Sequence, residues 1–151
     1  MNKSKASRAI LLGGLVAGAL DLTYAVVFYG LRGVNPIRIP QSIASGLLGP
    51  GSYQGGVITA AIGVVLQFTI SLVAATTYYL VSRKLGFLTR RAVIFGLLYG
   101  CAIYFFMHLV VLPLSAAPKF KTSTLSVSTD LAVHLFCVGL PIALATQRYS
   151  R

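Results

Sequence analysis

The chain has 151 residues, 56% of them hydrophobic and 10% charged, with a mean hydropathy of +0.83. A soluble domain carries about 25% charged residues, so these few cannot cover a water-facing surface. Net charge is +11, but the thirteen Lys and Arg are scattered over both termini and every loop. That pattern excludes the one-sided basic stripe of a nucleic-acid binder. Composition and four long apolar blocks predict one all-α membrane domain over residues 1–151, a bundle of four transmembrane helices.

A basic segment with Lys3, Lys5 and Arg8 precedes the first predicted span, Ala9 to Leu31. Crossing a ~30 Å hydrocarbon core takes ~20 residues, so this run suffices. Ala17-Gly18-Ala19 has the form of a signal-peptide cleavage site, but the apolar run continues to Tyr29. That exceeds the ~7–15 residues of a signal h-region, which favours a retained span. Gly14 and Gly18 form a GxxxG, and Asp21 and Ala25 continue its face. Small residues there allow close helix approach, so Asp21 is expected to point into the bundle.

Residues 32–56 are different. Pro36, Pro40, Pro50 and several glycines forbid one long helix. A short helix is predicted between Pro40 and Leu48, its apolar face formed by Ile43, Leu47 and Leu48. It is expected to lie in the interface outside the cytoplasm; a re-entrant turn is the alternative. Ser52 is expected to be accessible there, Ser42 less so.

The second span is predicted over Val57 to Val81. Ala60, Gly63, Gln67, Ser71, Ala74 and Tyr78 form a small or polar stripe that should face neighbouring helices. Tyr78 and Tyr79 suit the headgroup level. A loop with Arg83, Lys84, Arg90 and Arg91 leads to a third span, Ala92 to Leu114, where Cys101, Tyr104 and His108 share a stripe. The fourth runs from Val127 to Thr146 and places Asp130 in its first turn, a preferred place for a capping Asp. Pro141 frees the Cys137 carbonyl and predicts a bend. The N-terminus, second loop and C-terminus hold three, four and two Lys or Arg, against two in each other loop. The positive-inside rule then puts both termini in the cytoplasm.

With a rise of ~1.5 Å per residue, Asp21 lies ~18 Å and His108 ~24 Å above the cytoplasmic edge. Asp130 and His134 fall at ~25 and ~20 Å in a ~30 Å core. Four ionisable groups from three spans thus share one slab in the outer half, with Gln67 and Tyr104 on the stripes beside it. A charge at mid-bilayer costs ~2.5–3.5 kcal/mol on insertion scales, so such groups face inward and pair. Asp130 and His134, one turn apart, can hold a proton near neutral pH. His108, His134 and Asp130 are also candidate ligands for a divalent cation, and the two histidines for a haem iron. As plain structure, Asp130 caps its helix, and the histidines and Gln67 are polar glue.

Cys101 and Cys137 form no CxxC, which gives neither zinc spacing nor a disulfide framework. No HExxH, GxSxG, Walker A or dinucleotide motif is present, and the chain has no Glu. The expectation is a non-enzymatic protein without a cofactor, partnered by the bilayer and by a second copy or a larger membrane complex. The rivals are a dimeric proton- or cation-coupled transporter and a small haem protein.

The pattern Asp21-Leu-Thr-Tyr-Ala, Arg32-Gly-Val-Asn-Pro, Gln41-Ser-Ile-Ala-Ser-Gly-Leu-Leu-Gly and Val110-Val-Leu-Pro-Leu-Ser115 resembles a group of small uncharacterised bacterial membrane proteins. The resemblance covers most of the chain and is most specific over 32–49. It implies a bacterial inner-membrane location and no activity. A looser resemblance is to small multidrug-resistance transporters, four-span dimers with one acid in the first helix. There the acid is Glu where this chain has Asp21, and the connector 32–56 has no counterpart.

Overall fold

The computed structural model describes residues 3–118 and 124–150. Every regular element among them is helical. Four helices are long and apolar enough to span a membrane: Ser4–Gly30 (span 1), Gly56–Lys84 (span 2), Ala92–Leu114 (span 3) and Thr124–Tyr149 (span 4). The third matches its predicted bounds. The other three run a few residues longer at each end or at one, because a span of 27 residues, ~40 Å of helix, outreaches a ~30 Å core.

Span 1 lies at the middle of the bundle, with span 2 on one flank and span 4 on the other; span 3 packs on span 4. Glycines set this order. A Cβ on Gly14 would stand 2.8 Å from Leu72, and one on Gly18 2.9 Å from the Ser71 hydroxyl. On the other flank, a Cβ on Gly13 would stand 3.2 Å from the Ile142 backbone. The GxxxG face of span 1 therefore makes the close helix approach expected of it, and the helix it meets is span 2. The predicted stripe of span 2 answers it: Ala60, Gly63, Gln67, Ser71, Ala74 and Tyr78 are all buried.

Spans 3 and 4 meet through a second GxxxG, Gly96 and Gly100, which the sequence reading passed over. A Cβ on Gly100 would run into the His134 carbonyl, and one on Gly139 into the Gly96 carbonyl. The two backbones touch along this seam. Tyr99 then reaches from span 3 to donate to the Ala74 carbonyl of span 2, at 2.8 Å. Tyr78, expected at the headgroup level, is fully buried against Tyr99 and donates to the Leu88 carbonyl in the loop beyond.

The connector forms a helix, Arg38–Leu48, and a 3-10 turn, Gly49–Gln54. Its packed face is Ile39, Pro40, Gln41, Ala44 and Ser45, with the Pro40 carbonyl lying on Gly63 of span 2. Leu47 is 67% exposed and Leu48 46%, so that apolar edge turns away from the protein, as it does on a helix lying in a membrane interface. Ser52 is buried and Ser42 exposed, the reverse of the expectation. The reason is backbone satisfaction in a proline-broken segment. Ser52 donates to the Gln41 carbonyl at 3.0 Å, and Gln41 Nε2 to the Gly56 carbonyl at 2.9 Å. Thr59 closes the set by donating to the Ser52 carbonyl at 2.6 Å.

Two stretches are π-helical, Met107–Val111 in span 3 and His134–Gly139 in span 4. Each ends just before a proline, Pro113 or Pro141. A proline lacks the N–H for the next bond and crowds the carbonyl four residues back. Widening the preceding turn absorbs both problems, so the bend expected at Pro141 takes this form.

Candidate functional site

Asp21 sits one turn beyond Gly18, on the face that Gly18 holds against span 2. The close approach there brings Gln67 within reach, and its Nε2 donates to Asp21 Oδ2 at 2.7 Å. Ser71 in turn donates to the Gln67 carbonyl at 2.9 Å, one turn below. Asp21 also feels the charges of His134 and Asp130 of span 4, though it makes no hydrogen bond to either among the described residues.

Asp130 does not cap its helix. Helical structure runs from Thr124, which places Asp130 in the second turn, with backbone already paired. Its carboxylate crosses to span 1 instead. Tyr24 donates to Oδ1 at 3.0 Å, and Tyr29 stands 3.4 Å from Oδ2. Sequence reasoning missed both tyrosines, since an aromatic near the end of a span reads first as a headgroup anchor. The available signal was Tyr24, three residues after Asp21 and therefore near its face.

No family model, no curated protein and no solved structure matches the chain.

His134 and Asp130 share a face, yet they pair through backbone. His134 Nδ1 lies 2.8 Å from the Asp130 carbonyl oxygen, and His108 Nδ1 lies 3.0 Å from that of Tyr104. A carbonyl only accepts, so both Nδ1 atoms carry a proton. The Tyr104 ring stacks on His108 with centroids 4.1 Å apart and meets His134 edge-on at 5.4 Å. The two imidazoles are 6.5 Å apart. Three rings thus close the connector end of the seam between spans 3 and 4, and both histidines fall in the π-helical turns. Such turns recur at functional sites.

The structure thus brings together Asp21 with Gln67, and Tyr104 with both histidines. It does not join His108 to Asp21: the only side-chain hydrogen bond of His108 among the described residues goes to Tyr104. Nor do His108, His134 and Asp130 converge on a metal position. Among the described residues no three His, Cys, Asp or Glu side chains could hold an ion, because the Asp130 carboxylate is turned toward the tyrosines. An axial haem pair would need the plane of a macrocycle between the imidazoles; the Tyr104 ring lies against both of them instead.

Proposed function

We propose that this is a non-enzymatic integral membrane protein whose outer-half polar layer clasps the spans together. One observation carries the reading. Each of the two acids reaches a neutral partner on a different helix: Asp21 of span 1 to Gln67 of span 2, and Asp130 of span 4 to Tyr24 of span 1. Span 1 is therefore hydrogen-bonded on both flanks. In hydrocarbon such bonds contribute ~0.6 kcal/mol each and up to ~1.7, where apolar contact alone distinguishes poorly between helix and lipid.

The charge asymmetry supports an orientation with both termini cytoplasmic, and the resemblance to small bacterial membrane proteins supports an inner-membrane location. Only 17% to 28% of the apolar window of each span is buried within one chain, which leaves wide faces for lipid and supports a second copy or a larger membrane complex. The test is a pair of substitutions. Asp21→Asn keeps an acceptor for Gln67 and should leave unfolding in detergent nearly unchanged; Asp21→Leu should weaken the fold by about 1–3 kcal/mol, as for a buried donor left unpaired. Equal stability of the two variants would refute the clasp.

A further inference from the structure

We propose that Arg90, Arg91 and Arg148 form a seat for the phosphate headgroup of an anionic phospholipid, at the termini end of the seam between spans 3 and 4. The seat lies at the opposite end of the bundle from the connector and does not depend on the clasp.

The loop between spans 2 and 3 is fastened down onto the helices. Gln147 of span 4 donates to the Thr89 carbonyl at 2.7 Å, and Tyr78 of span 2 to that of Leu88 at 3.3 Å. Phe87 packs on Phe95 of span 3, with ring centroids 4.9 Å apart. Ala92, the first residue of span 3, is buried. Arg90 and Arg91 thus stand between an anchored Thr89 and a buried Ala92, while Arg148 follows directly on Gln147. The Thr89–Gln147 bond therefore brings the backbone of all three arginines to one corner of the bundle. All three are exposed.

No Asp or Glu side chain lies near that corner. The chain has no Glu, and its two Asp are at 21 and 130. A rise of ~1.5 Å per residue leaves Asp130 ~27 Å from Arg148 along span 4. Asp21 is ~21 Å from Arg148 in the register set by Gly13 on Ile142. Both distances exceed two Debye lengths of ~8 Å at physiological salt, so neither acid offsets these cations. Three like charges at one corner repel one another, and the phosphates of the adjoining leaflet are the countercharge at this level.

The side chains suit that partner. A guanidinium presents a planar fork of donors that matches two phosphate oxygens, which an ammonium cannot do. The rim of the corner is apolar: Phe87, Val93 and Ile94 are all about half exposed. Acyl chains hanging from a phosphate on the arginines would lie along that rim, whereas a free anion gains nothing from it. Basic clusters between helix ends on the cytoplasmic side hold anionic headgroups in this way.

The test is thermal unfolding of the full chain in a neutral detergent, titrated with phosphatidylglycerol or with phosphatidylcholine of the same acyl chains. Phosphatidylglycerol should raise the melting temperature at a lower mole fraction than phosphatidylcholine, and added salt should weaken the effect. Arg90→Gln, Arg91→Gln and Arg148→Gln should each raise the half-maximal mole fraction about fivefold. Arg38→Gln, which removes a charge from the connector face, should leave it unchanged. Equal responses to the two lipids, or an equal loss in Arg38→Gln, would overturn the seat. Inorganic phosphate that stabilised the chain as well as phosphatidylglycerol would overturn it as a lipid site. Should a Gln variant fail to fold, the Lys variant at that position keeps the charge without the fork. It should shift the midpoint in the same direction by less, and no shift would overturn the proposal.

Discussion

His134 turns its Nδ1 to the main-chain carbonyl of Asp130, 2.8 Å away, while the carboxylate of Asp130 bonds Tyr24 on another helix. Two residues spaced to pair with each other are thereby released for separate work. The imidazole is oriented by its own backbone, which fixes its tautomer without using an acid. The acid is free to tie span 4 to span 1.

That tie should be measurable as a coupling. Tyr24→Phe removes the 3.0 Å bond to Asp130 and should cost about 0.6–1.7 kcal/mol in a detergent unfolding assay. Tyr29→Phe, with its oxygen at 3.4 Å, should cost less. Combining Tyr24→Phe with Asp130→Asn should cost less than the two single losses added. Strict additivity would mean that the bond contributes nothing.

The glycine seam between spans 3 and 4 predicts a steep dependence on one methyl group. Gly100→Ala places a Cβ against the His134 carbonyl, so the helices must separate or shift. Forcing volume into a packed contact costs about 1–3 kcal/mol, and here the obstacle is backbone, which cannot rotate away. Gly30→Ala has nothing within 4 Å to meet and is the control. Melting temperatures that fell equally for the two would contradict the seam.

Much of this architecture was legible in the sequence. The four spans follow from runs of apolar residues, and the buried face of span 2 follows from small and polar residues at helical spacing. Asp21 could be aimed because Gly14 and Gly18 marked the face it shares. Side-chain partners were less legible, since a pattern assigns a residue to a face but not to a rotamer. Asp130 could have paired with His134 one turn away, and only the placement of Tyr24 decides otherwise. The π-helical turns were hidden because a proline announces a disturbance without saying how the helix absorbs it.

In the connector, backbone satisfaction inverts simple exposure. With Cys101 and Cys137 replaced by Ala, a single cysteine at Ser42 should react with an impermeant thiol reagent from the connector face. One at Ser52 should react far more slowly, because that side chain is buried on the Gln41 carbonyl. Ser52→Cys also removes that donor and should loosen the turn Gly49–Gln54. Faster labelling at 52 than at 42 in the folded protein would show the connector to be open.

Orientation is tested at the C-terminus. A reporter active only outside the cytoplasm, fused after Arg151, should stay inactive, as nine of the thirteen basic residues lie on the side of the termini. Activity of that fusion would reverse the assignment of both faces.

The last prediction separates neighbours from residues that merely share a depth. Asp21 and Gln67 are in direct contact at 2.7 Å, whereas His108 is engaged with Tyr104 and stacked in the ring cluster of spans 3 and 4. Residues in contact show non-additivity of about 0.5–3 kcal/mol, while those without shared partners add within about 0.3–0.5. Asp21→Leu combined with Gln67→Leu should therefore cost clearly less than the sum of the single changes, because removing both partners leaves no orphaned group. Asp21→Leu combined with His108→Leu should be additive within that smaller limit. Strong coupling of Asp21 to His108, with none to Gln67, would mean that the acid works with span 3 rather than span 2.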